Sequence, residues 1–354
     1  MNTLLLRKSK DKLKAFTKHP YFGYIVFGLI LLAAQLLTMS GMIQKSTMDS
    51  IILTLIYAVI ALGFSLLLGY GGLASLGTAG FVGLGTYFTG YFAGTLDLPF
   101  GLTILISLIG AVLIGTIVGF ISLRIEGMYL AIITLGLSEI LVEVFKSFEA
   151  FTNGVDGLSF RTFDLFGRLM SDEAVYIIII IVFVIVMLAT INIIKSPTGR
   201  ALLAMKNSTS AAQSMGISLL KYRLLAFIIS TVYAVLAGML YMINSKFSIP
   251  TTWNLALSLN ILAAVIVGGS QSILGITLGA FMIFGLSPAI LSNIQFFIDH
   301  PAAISIFNGL LIILVVMFYP GGLIRLLQTF VAFVKKKYVE FKQKWKEYRY
   351  GKDE

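Results

Sequence analysis

Apolar residues run through this chain in long, nearly unbroken stretches separated by short polar segments. Neither the two-residue alternation of a half-buried strand nor a one-sided helical stripe describes them. A helix needs about 20 predominantly apolar residues to cross a bilayer. Runs of that kind fall at 21–39, 50–69, 73–95, 101–122, 127–146, 174–194, 223–243, 255–269, 273–292 and 303–319. They predict an all-α, polytopic transmembrane helical bundle of ten spans. The third and eighth runs are rich enough in glycine to be broken or re-entrant rather than straight.

Composition strengthens this picture. Of 354 residues, 58% are hydrophobic and 12% charged, against about a quarter charged in soluble domains. Cysteine is absent and the only histidines are His19 and His300, which excludes disulfides, thiol catalysis and the usual Cys/His metal sites. No catalytic residue, no metal ligand and no cofactor bound by this chain is expected. The net charge of +10 would suggest nucleic acid in a soluble protein. Here the basic residues sit at the ends and between the apolar runs, which points to membrane lipids and to no nucleic-acid partner.

Placing both ends in the cytoplasm puts the basic residues where cytoplasmic loops should hold them. Six precede Tyr21, Arg124 follows the fourth run, and Lys195, Arg200, Lys206, Lys221 and Arg223 lie between the sixth and seventh. The tail from Arg325 to Lys352 adds nine. Only Lys45, Lys146, Arg161, Arg168 and Lys246 fall outside. Eight or eleven spans would misplace some of these loops. The first run is too long for a cleaved signal segment, and further spans follow it. The expected organisation is a basic cytoplasmic segment at 1–20, a transmembrane domain at 21–319 with an inside loop at 195–222 and an outside loop at 147–173, and a basic tail at 320–354.

Gly69 to Gly85 is too glycine-rich for a lipid-facing helix. Two uses remain open, close helix packing and a substrate pathway involving Ser75, Gly77, Thr78 and Gly80. Gly90/Gly94, Gly115/Gly119 and Gly275/Gly279 are small-residue spacings read as packing. Glu139 and Glu143 stand one turn apart in an apolar run. Carboxylates at membrane depth are costly, so Glu139 is a pathway candidate, whereas Glu143 near Lys146 also fits a solvated position. The outside loop at 147–173 is too short for a domain and reads as a docking surface, a cap or an ordinary solvated loop.

Inside, Pro197, an alanine-rich stretch and Gly216 predict a short cytoplasmic helix. Leu202, Leu203, Met205, Ala211, Ala212 and Met215 give it an apolar side, for a partner or for its own bundle. In the tail, Leu323, Leu327, Phe330, Val334, Tyr338, Phe341, Trp345 and Tyr348 recur at helical spacing with Lys335, Lys336, Lys342, Lys346 and Arg349 between them. That is an amphipathic basic helix suited to an anionic leaflet.

The stretch Ser196, Thr198-Gly199-Arg200-Ala201 and Ala211-Ala212-x-x-x-Gly216, continued by Tyr222-Arg223-Leu224-Leu225-Ala226-Phe227 and Ala237-Gly238, resembles the coupling segment of ABC importer permeases, and specifically of branched-chain amino acid permeases of LivM type. Gly69-Tyr70-Gly71-Gly72 with Ser75-Leu76-Gly77, Thr134-Leu135 with Glu139-Ile140, Thr152 to Gly157, and Val267-Gly268-Gly269 with Gly275 and Gly279 agree in order over roughly residues 50–320. Ser210 stands where the motif usually has glutamate, and Thr78 where many relatives have histidine.

The resemblance implies a permease subunit rather than an enzyme, in a prokaryotic plasma membrane, importing branched-chain or other amino acids. Its implied partners are a second related permease, two ABC ATPases that use ATP and Mg, and an external solute-binding protein. Gly199, Arg200, Ala201, Met205, Ala211, Ala212, Met215 and Gly216 would couple to the ATPases. Ser75, Gly77, Thr78, Gly80, Glu139, Gly268 and Gly269 would line the pathway. The chain carries no phosphate-binding Gly-x-x-x-x-Gly-Lys-Ser/Thr sequence of its own. Other readings are the same machinery for urea, a nucleoside or a sugar, a proton-coupled carrier using Glu139 and Glu143, and, least supported, a membrane enzyme.

Overall fold

The computed structural model describes residues 21–42, 44–123, 128–159, 164–165, 168–286, 290–291, 294–300, 302–319 and 321–326, with the single positions 329, 337, 341 and 345. The basic segment 1–20, Arg124, Arg161 and most of the amphipathic tail lie outside the described residues.

The core is set by a helix that is buried on nearly all sides. α2 (Lys45–Ser65), prolonged by a π-helical turn over Leu66–Tyr70, buries every residue from Thr54 to Ser65 among the other helices. α1 (Phe22–Met39) lies on the outside, burying only Gly28, Leu31 and Gln35. α3 (Thr78–Thr89) continues into a second π-turn, Gly90–Thr95. α4 (Phe100–Ser122) and α5 (Met128–Ser147) follow, then α6 (Asp172–Lys195), the short α7 (Pro197–Asn207) and α8 (Thr209–Ser214), and α9 (Leu219–Ser245). α10 (Leu255–Gly268), α11 (Ile273–Ala280, extended by a π-turn over Phe281–Gly285) and α12 (Ala302–Phe318) complete the described helices longer than five residues. α2 packs against α6, α9, α10 and α11, while α9 also packs on α3 and α4.

α4 shows how such a helix distributes its residues. Its buried positions are Phe100, Thr103, Ser107, Ala111, Gly115, Gly119 and Ser122, a stripe of mostly small residues four apart, while Leu105, Ile109, Leu113, Ile117 and Ile121 are exposed. Small residues let backbones approach where lipid replaces water as the surrounding medium. A Cβ on Gly115 would touch Thr231, and one on Gly119 would meet Leu224 and Phe227 of α9.

Six described helices are long and apolar enough to cross a membrane: Phe22–Met39, Lys45–Tyr70, Phe100–Ser122, Asp172–Lys195, Leu219–Ser245 and Pro250–Gly268. Shorter apolar helices cover Ile273–Gly285 and Ile306–Val315. The chain is therefore a multi-pass helical membrane protein. Each of the ten apolar runs contains a helix, and of the two glycine-rich runs one departs from a straight rod. Leu73–Gly77 is not helical and α3 starts only at Thr78, so the third run is interrupted. The eighth is unbroken up to Gly268, where the chain reverses through Gly269–Ser272.

At the end of the bundle away from α7, the long loop is stitched down. β1 (Leu158–Ser159) pairs antiparallel with β4 (Phe247–Ser248), and β2 (Asp164–Leu165) with β3 (Arg168–Leu169). Trp253 is fully buried beneath, its Nε1–H donating to Ser248 Oγ at 3.1 Å. Thr152 Oγ1 donates to the Phe145 carbonyl at 2.5 Å, and Asn153 takes a left-handed conformation while its Nδ2 donates to Gly157 O at 2.9 Å.

Candidate functional site

The interrupted helix leads from the α7 end of the bundle into its interior. Gly72, with φ +68°, lies beside Lys206 of α7, whereas Gly80 lies on Ser138 near the middle of α5. α3 thus begins inside the protein, where water cannot satisfy the free amides of a helix start. Side-chain hydroxyls do so instead. Leu76 N–H donates to Thr134 Oγ1 at 3.0 Å, Ala79 N–H to Ser258 Oγ at 3.0 Å and Gly80 N–H to Ser138 Oγ at 3.2 Å. Gly77 N–H reaches Ser75 Oγ at 3.4 Å.

Glycine is required for this approach. A Cβ on Gly77 would lie 2.5 Å from the Thr134 carbonyl, and one on Gly80 2.9 Å from Ser138 Oγ. Ser138→Ala or Ser258→Ala leaves a buried N–H without an acceptor and is expected to cost about 1–3 kcal/mol each. Equilibrium unfolding in mixed micelles measures this; midpoints equal to wild type would contradict the capping arrangement.

Ser75 and Thr78, both buried, share a void of about 10 Å³ with Ser230 and Thr231 of α9, between Phe81 and Phe227. The two rings meet edge to face at 5.9 Å. That volume holds one water at most, so the polar lining is closed on itself in this conformation. Ser75, Gly77, Thr78 and Gly80 are therefore brought together, and the hydroxyls of Ser138, Ser230, Thr231 and Ser258 join them. Sequence reading missed these four because single hydroxyls in apolar runs carry no periodic signal.

The other pathway candidates lie elsewhere. Glu139 is exposed on the outer face of α5, beside exposed Ile132 and Ile140. Glu143 pairs with Lys146 at 2.7 Å, also at the surface. Gly268 and Gly269 shape the α10–α11 reversal: a Cβ on Gly268 would lie 2.3 Å from Gly275 O, and Gly269 has φ +101°.

The α7–α8 segment is built by its caps. Ser196 Oγ accepts from Gly199 N–H, Pro197 takes the first helical position, and Ser208 Oγ accepts from Ala211 N–H at 3.3 Å. Ser208 divides the single helix expected here into two, because its extended backbone ends α7 while its side chain starts α8. Gly216, with φ +78°, turns the chain away as Ile217 N–H bonds to Ala212 O at 3.0 Å.

The coupling candidates divide into two faces. Gly199, Ala201, Met205 and Ala212 are buried against the bundle, along with Leu202. Arg200, Ala211, Met215 and Gly216 are exposed, Met215 by 82%. Arg200 Nη1 donates to the Lys195 carbonyl at 2.8 Å, capping the end of α6. Beside this segment opens a cavity of about 730 Å³ lined by Lys206, Gln271, Ile324 and Arg325 among others. At the opposite end, a polar pocket of about 340 Å³ holds Asp172 bridged to Lys45 at 2.9 Å and to Lys246 at 2.8 Å, with the Tyr176 hydroxyl bonded to Asp49.

Residues 46–316 match the family model described as the permease component of the branched-chain amino acid transport system. The chain is 30% identical over 267 residues to the high-affinity branched-chain amino acid transport system permease protein LivM of Escherichia coli, an alignment covering 68% of this chain and 63% of the relative. It is 28% identical to the LivM protein of Salmonella typhimurium with the same coverage. Against a probable branched-chain amino acid transport permease protein LivH of Methanocaldococcus jannaschii it is 31% identical over 225 residues, covering 57% of this chain and 67% of the relative. The match thus spans somewhat less than two thirds of the length of the LivM proteins. No solved structure matches the chain. With a multi-pass helical bundle, an interrupted glycine-rich helix and a capped helical pair at one end, the chain belongs to the family of branched-chain amino acid transport permease components.

Proposed function

We infer that this chain is a transmembrane subunit of an ATP-driven importer for branched-chain or other amino acids, a transport subunit with no catalysis of its own. The observation that carries the reading is the α7–α8 segment, which buries Leu202 and Met205 in the bundle while presenting Ala211, Met215 and Gly216 outward. A helix pair anchored on one face and bare on the other suits a groove on an ATPase. In this reading two ATPase subunits, using ATP and Mg, sit at the α7 end in the cytoplasm. An external binding protein delivers solute to the opposite end, near the polar pocket around Asp172. The chain crosses the plasma membrane of a prokaryote ten times with both ends inside, its basic tail lying on lipid headgroups.

A second related permease would cover the outer face of α5. Glu139 stands near the middle of that helix and faces away from this chain, a position too costly to leave in hydrocarbon. Gly136 beside it has no atom within 4 Å of a Cβ, which leaves room for a neighbouring backbone. The pathway residues Ser75, Gly77, Thr78 and Gly80, with Gly268 and Gly269 shaping the α7 end, would open as the helices move. The ATPases would drive that change by holding the two states with different affinity. The proton-carrier alternative is weakened by the Glu143–Lys146 pair and by the outward placement of Glu139.

Uptake of radiolabelled leucine and of urea into vesicles containing the co-purified complex tests the reading. Leucine uptake that needs ATP on the ATPase side and survives collapse of the proton gradient is expected. Uptake that ignores ATP and stops with the gradient would overturn it.

A further inference from the structure

The α7–α8 segment is joined to the interrupted helix by one side chain. The π-turn at the end of α2 and the amides after it leave a carbonyl over. Gly71 N–H bonds to Leu66 O, Leu73 N–H to Leu67 O and Gly72 N–H to Leu68 O. Gly69 O instead accepts from Lys206 Nζ at 2.7 Å and from Gln271 Nε2 at 3.1 Å.

The surroundings are built for close approach. A Cβ on Gly69 would lie 2.0 Å from the Ser270 carbonyl, and one on Gly72 would meet Lys206 Cγ at 3.2 Å. Tyr70 OH donates to Gln271 O at 2.9 Å. Three segments far apart in sequence therefore converge on one backbone oxygen: the last turn of α7, the end of α2 where the helix fails, and the Gly269–Ser272 reversal. A charged donor on a carbonyl makes a stronger hydrogen bond than a neutral one, and Lys206 is the member supplied by the helix pair.

We propose that Lys206 is a positioning residue: its ammonium, held on the Gly69 carbonyl, is the strut that transmits displacement of α7–α8 to the 71–77 break and so to the residues around Ser75 and Thr78. This rests on the importer reading for its direction of action, although the strut itself is a property of this chain. Met215 serves docking; Lys206, also exposed, turns its ammonium inward onto the bundle.

The test compares Lys206→Met, which keeps the apolar stem and removes the donors, with Lys206→Arg, which keeps a charged donor. Two readouts are used on the full chain. In the purified protein, amide hydrogen exchange over 71–77 is expected to accelerate about fivefold or more in Lys206→Met and to return toward wild type in Lys206→Arg. In the assembled complex, Lys206→Met is expected to retain bound ATPase and to lose about tenfold or more in solute moved per ATP hydrolysed, with substantial recovery in Lys206→Arg. Unchanged exchange in Lys206→Met, equal losses in both variants, or full transport per ATP in Lys206→Met would each overturn the strut. Absence of ATP-driven uptake in the wild-type complex overturns the importer reading alone, since the exchange comparison needs no partner.

Discussion

Gly238→Leu is expected to leave almost no monodisperse protein after extraction into mild detergent. A Cβ at this position would lie 2.0 Å from the Val82 carbonyl and 2.9 Å from the Thr86 amide, and neither is a side chain that can swing aside. The contact is reciprocal, since a Cβ on Gly85 would lie 2.1 Å from the Val235 carbonyl, and Thr86 Oγ1 donates to Gly238 O at 3.1 Å. Overpacking a tight core costs about 1–3 kcal/mol when neighbours can adjust. Here α3 and α9 themselves must separate, opening the interface that also holds Ser230 and Thr231. Gly136→Leu is the control. With nothing within 4 Å of its Cβ, it should give wild-type yield and thermal midpoint while weakening copurification of a second permease subunit. Size-exclusion profiles read both variants, and a normal profile for Gly238→Leu would show that the two backbones do not touch.

Met215→Asp and Met205→Asp are expected to fail in opposite ways. Met215 is almost wholly exposed, whereas Met205, on the buried face of α7, is 2% exposed. A carboxylate at 215 meets water in the free subunit and should leave the thermal midpoint within about a degree, yet place an unpartnered charge in the groove proposed for the ATPase. ATPase copurification and ATP-driven uptake should fall about tenfold or more. A carboxylate at 205 enters an apolar site and costs several kcal/mol unless it is neutralised, so the protein itself should be lost. Normal ATPase binding by Met215→Asp would remove this face from the interface. Arg200→Glu is a poorer probe, because Arg200 caps the carbonyl end of α6 and reversal would disturb the helix it holds.

Membrane crossing, helix type and the position of the inside helical segment were legible because each leaves a long or chemically marked trace. An apolar run such as 174–194 has few alternatives, and Ser196-Pro197 followed by Gly216 marks a start and a stop. What was not legible depends on which way a residue faces. Glu139 looks costly along the sequence, yet hydropathy is blind to its lying on the outer side of α5. The interruption before Thr78 was expected only as one of several outcomes for a glycine-rich run, since its exact place is set by the hydroxyls of Thr134, Ser138 and Ser258 on other helices. Ser208 reads as one polar residue among several, although its cap divides α7 from α8. Lys206 is hidden for a related reason: a lysine between two spans already has an explanation as a headgroup-facing charge, and only its distance to Gly69 distinguishes it.

The non-helical stretch from Gly71 to Gly77 also stores length. An extended residue advances about 3.3 Å and a helical one about 1.5 Å, so seven residues differ by up to about 13 Å between their drawn-out and coiled forms. Gly72 at φ +68° opposes coiling at one point only. A tether of that kind lets the helix before it and the helix after it shift relative to one another without either being bent or pulled from its neighbours. Rods joined by a segment that can change length and is packed between them form a linkage, and a linkage can be driven from one end.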